Sequence, residues 1–374
     1  MSNRTGSFSR TRTLLAIGAL VAAAATASAT AATATTQSAG SYVARGHHQH
    51  PPAYAWHITP TGTAEEFRGL AAVSASTAWV SGEDGGVLRT VNAGETWQDV
   101  SPPQAAGMAL RDIEAFGPRR AVALAIGTGD ASRIFATNDG GATWDEVFRN
   151  TDPNAFYDCM AFSHDGLGLA MSDPVGGHFQ LARTTDFGQT WAPFLPSSMP
   201  AALPTEFAFA ASGTCIVSSW GHTFWFATGG ADTPRVFRSF DGGRHWTVHD
   251  TDMRGGPSAG IYSLAFRNPL QGIAVGGDFQ AETDGSDAAA WTLSFGQRWH
   301  NSTSPVGGYR SGVAFVPFTF NTAIAVGPTG SDVSVDGGRS WTTFDTDRYD
   351  GVQCARDGAC WASGTDGRVS RLVR

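Results

Sequence analysis

A short motif recurs six times along the 374 residues, and its spacing constrains the fold more than any other feature. In each copy a Ser or Thr stands seven residues before a Trp, and a Gly stands three before it. In four copies an Asp stands five before the Trp. The copies close at Trp97, Trp144, Trp191, Trp246, Trp299 and Trp341, at intervals of 47, 47, 55, 53 and 42 residues. A period of that length is one four-stranded propeller blade.

The motif has a structural logic. An Asp that opens a tight turn accepts hydrogen bonds from the backbone N–H groups after it. The Gly supplies a positive φ, and the Trp starts the next strand and wedges its ring between neighbouring sheets. Asp139, Asp186, Asp241 and Asp336 therefore read as turn-formers rather than catalysts. Asn92 and Ser294 replace the acid in the other two copies, where weaker turns are expected.

Each interval reads as four short strands separated by turn-formers, without helical periodicity. The first runs LAAVSAS, TAWVSG, GVLRTV and TWQDV. The fourth reads FAFAAS (207–212), TCIVSS (214–219), RVFRS and HWTVH, with 220–228 as an insertion. A seventh repeat begins at Tyr349 and stops at Arg374, before any Trp strand. Trp56 lies 41 residues before Trp97 and supplies that strand from the N-terminus. The expected fold is all-β: a seven-bladed propeller over residues 54–374, its ring closed by strands from both ends of the chain.

Ahead of it, Arg4, Arg10 and Arg12 precede an apolar run from Leu14 to Ala25 and then small residues. That is the layout of a secretory signal peptide, assigned to residues 1–29. Residues 30–53 read as a flexible leader carrying His47, His48 and His50, which are not expected to bind metal. The protein is expected to be exported, periplasmic or secreted, with no membrane insertion after cleavage. The formal charge is −8, and losing the three leading arginines makes it −11. Such a body argues against nucleic acid or an anionic membrane as the main partner.

All 25 basic residues are Arg, which excludes P-loop, Schiff-base and pyridoxal chemistry, each of which needs a lysine. No dinucleotide fingerprint, haem motif or zinc spacing occurs, so no cofactor is expected. Gly256–Gly260 fits a hydrolase nucleophile pattern, but that motif needs a strand-to-helix turn. Cys354 and Cys360 flank a short turn and are expected to form a cross-strand disulfide. Cys159 and Cys215 are expected as buried small hydrophobes.

The repeated S/T-x-D-x-G-x-T-W pattern resembles the Asp-box (BNR-like) repeat of bacterial sialidases and related propellers. Across nearly the whole body the chain resembles the Asp-box propellers grouped with photosystem II stability and assembly factors. It is most similar to their exported, non-photosynthetic relatives, often labelled only as oxidoreductases or hydrolases. The resemblance speaks to fold more than to function.

Propeller ligands usually sit opposite the face that carries the Asp turns. Arg68, Arg111 and Arg310 each stand five residues before Val73, Phe116 and Phe315, which places them in one register at the start of an inner strand. A basic arc around the channel mouth is expected from them. Asp112, Asp158 and Tyr262 fall one position later, and Glu206 lies nearby. Glu83, Asp84, Asp130, Asp173 and Asp278 come from the turns between second and third strands.

Three readings follow from this ring. As a binding platform, the arginines take carboxylates of a peptide or of an exported or membrane protein client. The assembly-factor resemblance implies that role, non-catalytic and monomeric. As a sialidase-like glycoside hydrolase acting on a glycan, Glu206, Asp158 and Tyr262 are the catalytic candidates. The sialidase R-I-P motif is missing. As a structural seal, the arginines pair with neighbouring acids instead of facing the channel.

Overall fold

The computed structural model describes residues 54–374; the expected signal peptide and leader lie outside the described residues. Runs of alternating small and apolar residues between Gly-rich turns give 28 strands, in seven four-stranded antiparallel sheets. Each sheet is one blade, ordered along the chain from inner to outer strand. The first six blades span residues 67–99, 110–149, 157–194, 216–250, 259–301 and 312–345. The seventh takes three strands from the C-terminus and its outer strand from the N-terminus, Ala55–Ile58 pairing with Val369–Val373. Trp56 Nε1 also donates to Ser331 Oγ of blade six at 2.9 Å, so the closing strand is tied to the neighbouring blade as well.

This strand order defines two faces. The upper face carries the approaches to the inner strands and the turns between second and third strands. The lower face carries the first-to-second turns and the six Trp-motif turns. Tyr54 and Arg374 both lie on the lower face, where Ala55 pairs with Val373.

The repeated turns close as the residue types require. Asp139 Oδ1 accepts from Thr143 N at 2.9 Å and from Thr137 Oγ1 at 2.9 Å, while Oδ2 accepts from Thr143 Oγ1 at 2.6 Å. Those donors hold its pKa down to about 2. Asn92 reproduces the pattern, its Oδ1 accepting from Thr96 N and its amide donating to Thr96 Oγ1. Ser294 is the poorer substitute, offering one oxygen to Arg298 N.

Apolar side chains of adjacent sheets interlock to form the core. Between blades one and two, Trp79 and Trp144 meet edge to face with centroids 6.4 Å apart. Between blades four and five, Trp225 stacks on Phe266 at 3.8 Å.

Two expectations are corrected here. Thr223–Ala227, read as an insertion, is the second strand of blade four, and Ile216–Ser219 is its inner strand. The segment 207–212 is not a blade strand at all. Cys159 and Cys215 are buried, but as a disulfide that ties the inner strand of blade three to the start of blade four. Two distant apolar cysteines give no pairing signal in sequence; the ring brings their Cα atoms to 6.1 Å. Cys354 and Cys360 are bonded as expected.

Candidate functional site

The displaced segment 207–214 crosses the upper end of the channel and plugs it. Ala208 N donates to Asp173 Oδ1 of blade three at 2.8 Å. Arg111 of blade two donates to the Ala210 carbonyl at 2.9 Å. Ser212 Oγ donates to the Ser311 carbonyl of blade six at 2.7 Å, and Thr214 Oγ1 meets Ser263 Oγ of blade five at 2.6 Å. The crossing is tight at Gly213, whose φ is +76° and where a Cβ would lie 2.4 Å from Asp112 Oδ1.

Four inner strands carry a β-bulge at their upper ends, where one residue is left without a partner. The extra residues are Arg68, Arg111, Asp158 and Tyr262, from blades one, two, three and five. A bulge re-aims the side chain it carries, and here it turns Arg68, Arg111 and Tyr262 toward the mouth. Above the plug, Arg68, Arg111 and Tyr262 border a cavity of about 240 Å³, while Asp158 stays buried. Phe209, Tyr262 and Tyr309 form its aromatic floor, with Tyr262 stacked on Phe209 at 3.8 Å and edge-on to Tyr309 at 4.6 Å. Arg68, Arg111 and Arg348 stand around it.

The guanidinium groups are compensated. Glu83 Oε1 lies 3.0 Å from Arg68 Nε and 2.8 Å from Arg111 Nε, bridging the two. Arg68 also pairs with Glu66 at 2.6 Å and Asp350 at 3.4 Å. Burial pushes the Asp350 carboxyl up to about 6, against the pull of Arg68. Arg348, half exposed, holds Glu282 at 3.2 Å. The mouth therefore mixes the seal and the open arc.

Arg310 is absent from the mouth. It is fully buried, its Nε 2.6 Å from Asp332 Oδ2, with Nη1 donating to the Tyr309 carbonyl and to Thr329 Oγ1. The pairing register explains this. Phe315 pairs with Ala323 as Ala115 pairs with Ala121, so Phe315 corresponds to Ala115 and not to Phe116. Arg310 is then equivalent to Leu110, a core residue, and Ser311 to Arg111. A one-residue slip moves a strand side chain to the opposite face of the sheet. Sequence reasoning missed Arg348 and Tyr309, which precede the inner strands of blades seven and six.

The catalytic candidates do not converge. Both oxygens of Glu206 are taken: Oε1 by Thr228 Oγ1 (2.6 Å) and Arg235 Nε (2.9 Å), Oε2 by Leu203 N (2.8 Å) and Arg235 Nη2. Asp158 is buried, and desolvation with the nearby Asp173 charge raises its pKa well above the ordinary carboxylate value. Tyr262 donates to the Ser258 carbonyl at 2.8 Å, and burial pushes its hydroxyl pKa up, opposite to what a nucleophile needs. Among the described residues no cluster of three or more His, Cys, Asp or Glu side chains is placed to hold a metal ion.

No family model and no curated protein matches the chain. Solved propellers do resemble it in shape. YCF48 bound to D1 peptide aligns with a TM-score of 0.62 at 13% identity, covering 85% of this chain and 95% of that one. YCF48 from Cyanidioschyzon merolae aligns at 0.59 and 15% identity, over 85% and 98%. The WD40 β-propeller domain of Doa1 aligns at 0.57 and 12% identity, over 86% and 97%. At such identities the likeness establishes a shared fold: this chain is a seven-bladed β-propeller.

Proposed function

We propose that the chain is an exported, non-catalytic propeller whose upper mouth binds a peptide segment of another exported or membrane protein. One observation carries the reading: a cavity of about 240 Å³ that joins an aromatic floor to a rim of three guanidinium groups. A peptide offers side chains to such a floor and carbonyl or carboxylate oxygens to such a rim. Arg111 already makes this contact in cis, to the Ala210 carbonyl of the plug. The solved YCF48 propeller carrying a D1 peptide supports the reading, as a ring of similar shape with a peptide ligand. The engaged state of Glu206 and the burial of Asp158 support a non-catalytic role. Two disulfides support export, since they persist in oxidising compartments.

The test places a photo-crosslinking residue at Phe279, an exposed wall of the cavity, in cells that make the protein natively. A discrete adduct with one protein is expected, and it should vanish when Arg111→Glu and Arg348→Glu are combined in a variant that still folds. An adduct that persists in that variant, or no specific adduct at all, would overturn the reading.

A further inference from the structure

The lower face bears a different surface. Across blades four to six, Trp220, Phe240, Leu270, Phe295, Phe318 and Phe320 stand in solvent, with Trp220, Phe318 and Phe320 exposed by 78, 84 and 87%. Phe240, Leu270 and Phe295 adjoin one another, and Arg267 extends the patch to Phe320. The Phe240 and Phe295 rings lie 6.1 Å apart, Phe295 N donates to the Leu270 carbonyl, and the Arg267 guanidinium covers Phe320 at 5.9 Å. Trp220, Phe295 and Phe318 sit at φ values of 45°, 60° and 60°. Bulky side chains rarely adopt that conformation; at Phe295 the repeated turn imposes it, since Ala93, Gly140, Phe187, Gly242 and Gly337 at the equivalent positions also have positive φ.

Charge is segregated too. In this sector the exposed Arg244, Arg267 and Arg298 and the half-buried Arg339 outnumber the two acids, Asp241 and Asp336, whose carboxylates accept hydrogen bonds within their own turns. The upper loops carry exposed acids instead, among them Asp84, Asp130, Asp232, Asp252, Asp287 and Asp366. The net negative charge of the chain thus hides a cationic, aromatic lower sector.

We propose that the lower face of blades four to six is a docking surface for an anionic lipid bilayer. The aromatic patch enters the headgroup boundary and the arginines meet lipid phosphates, the division of labour of interfacial protein surfaces. No helix among the described residues is long and apolar enough to cross a membrane, and this mode of docking requires none. The upper mouth then faces away from the bilayer.

The test is flotation of the full chain with vesicles of equal parts phosphatidylglycerol and phosphatidylcholine, and with phosphatidylcholine alone. The parent should float with the anionic vesicles. The combined Trp220→Ser, Phe318→Ser and Phe320→Ser variant should partition at least about tenfold less, from the apolar area it no longer buries. The combined Arg267→Glu and Arg298→Glu variant should lose the preference for anionic lipid. All five side chains are exposed, so an unchanged thermal midpoint will show that the ring is intact. The leader is identical in every variant and its contribution cancels. Equal partitioning of parent and serine variant would overturn the proposal. So would a parent that ignores vesicles but self-associates through the patch, because the patch would then cover protein rather than lipid.

Discussion

Arg111 and Ala210 meet at the channel mouth, the guanidinium of blade two donating at 2.9 Å to a main-chain carbonyl of the plug. Ala210 is buried, so that carbonyl depends on this donor. Arg111→Ala should cost roughly 1–3 kcal/mol, the usual penalty for stranding a buried acceptor. Loosening should be local, with faster amide exchange at Ala211 and at Leu264, whose N–H bonds the Thr214 carbonyl. Unchanged exchange at both amides would show that the plug does not rely on Arg111.

Arg310 should matter for stability and not for ligand binding. Removing one member of a buried ion pair leaves the other uncompensated, so Arg310→Met should destabilise by about 3–5 kcal/mol. The equivalent positions in blade two hold Leu110 and Phe135. Combining Arg310→Leu with Asp332→Phe should therefore recover much of the loss. Urea unfolding checks both variants, and a single variant as stable as the parent would contradict the buried-pair assignment.

The two disulfides should contribute unequally. Cys159–Cys215 closes a span of 56 residues and Cys354–Cys360 a span of 6. Loop-closure entropy then assigns about 4 kcal/mol to the first and about 2 kcal/mol to the second. Urea midpoints of the paired Cys→Ser variants should follow that order. The reverse order would mean that native packing, not chain entropy, dominates their effect.

Stability should peak in mild acid. Burial lifts Glu114, on the inner strand of blade two, to about 7. A raised acid contributes stability that is fully present below its unfolded pKa of about 4.3 and is lost as pH rises through its folded value. Asp139, held near 2, acts in the opposite sense, its contribution disappearing as pH falls through that value. Denaturation midpoints measured across pH should therefore fall between about pH 5 and pH 7.5. Glu114→Gln should flatten that fall, and a variant with the parent's slope would remove Glu114 as its cause.

The sequence by itself determined the blade count, the six Trp-motif turns and the closure by Trp56, because those rest on local turn chemistry repeated at a fixed period. It also placed Arg68, Arg111, Asp158 and Tyr262 at the start of inner strands, but with Asp158 and Tyr262 one position later than the arginines, whereas all four occupy the same bulge position. Tertiary structure decided which of these face the mouth. All four sit on bulges, but only Arg68, Arg111 and Tyr262 line the mouth; Asp158 stays buried, and Arg310, one register step away, is sealed against Asp332. It likewise decided that 207–212 plugs the channel and that Cys159 bonds Cys215. FAFAAS has the composition of an inner strand, and only competition with Ile216–Ser219 for that place in blade four excludes it. Turn chemistry is written in a few neighbouring residues; bulges, plugs and distant pairings depend on contacts made only once the ring has closed.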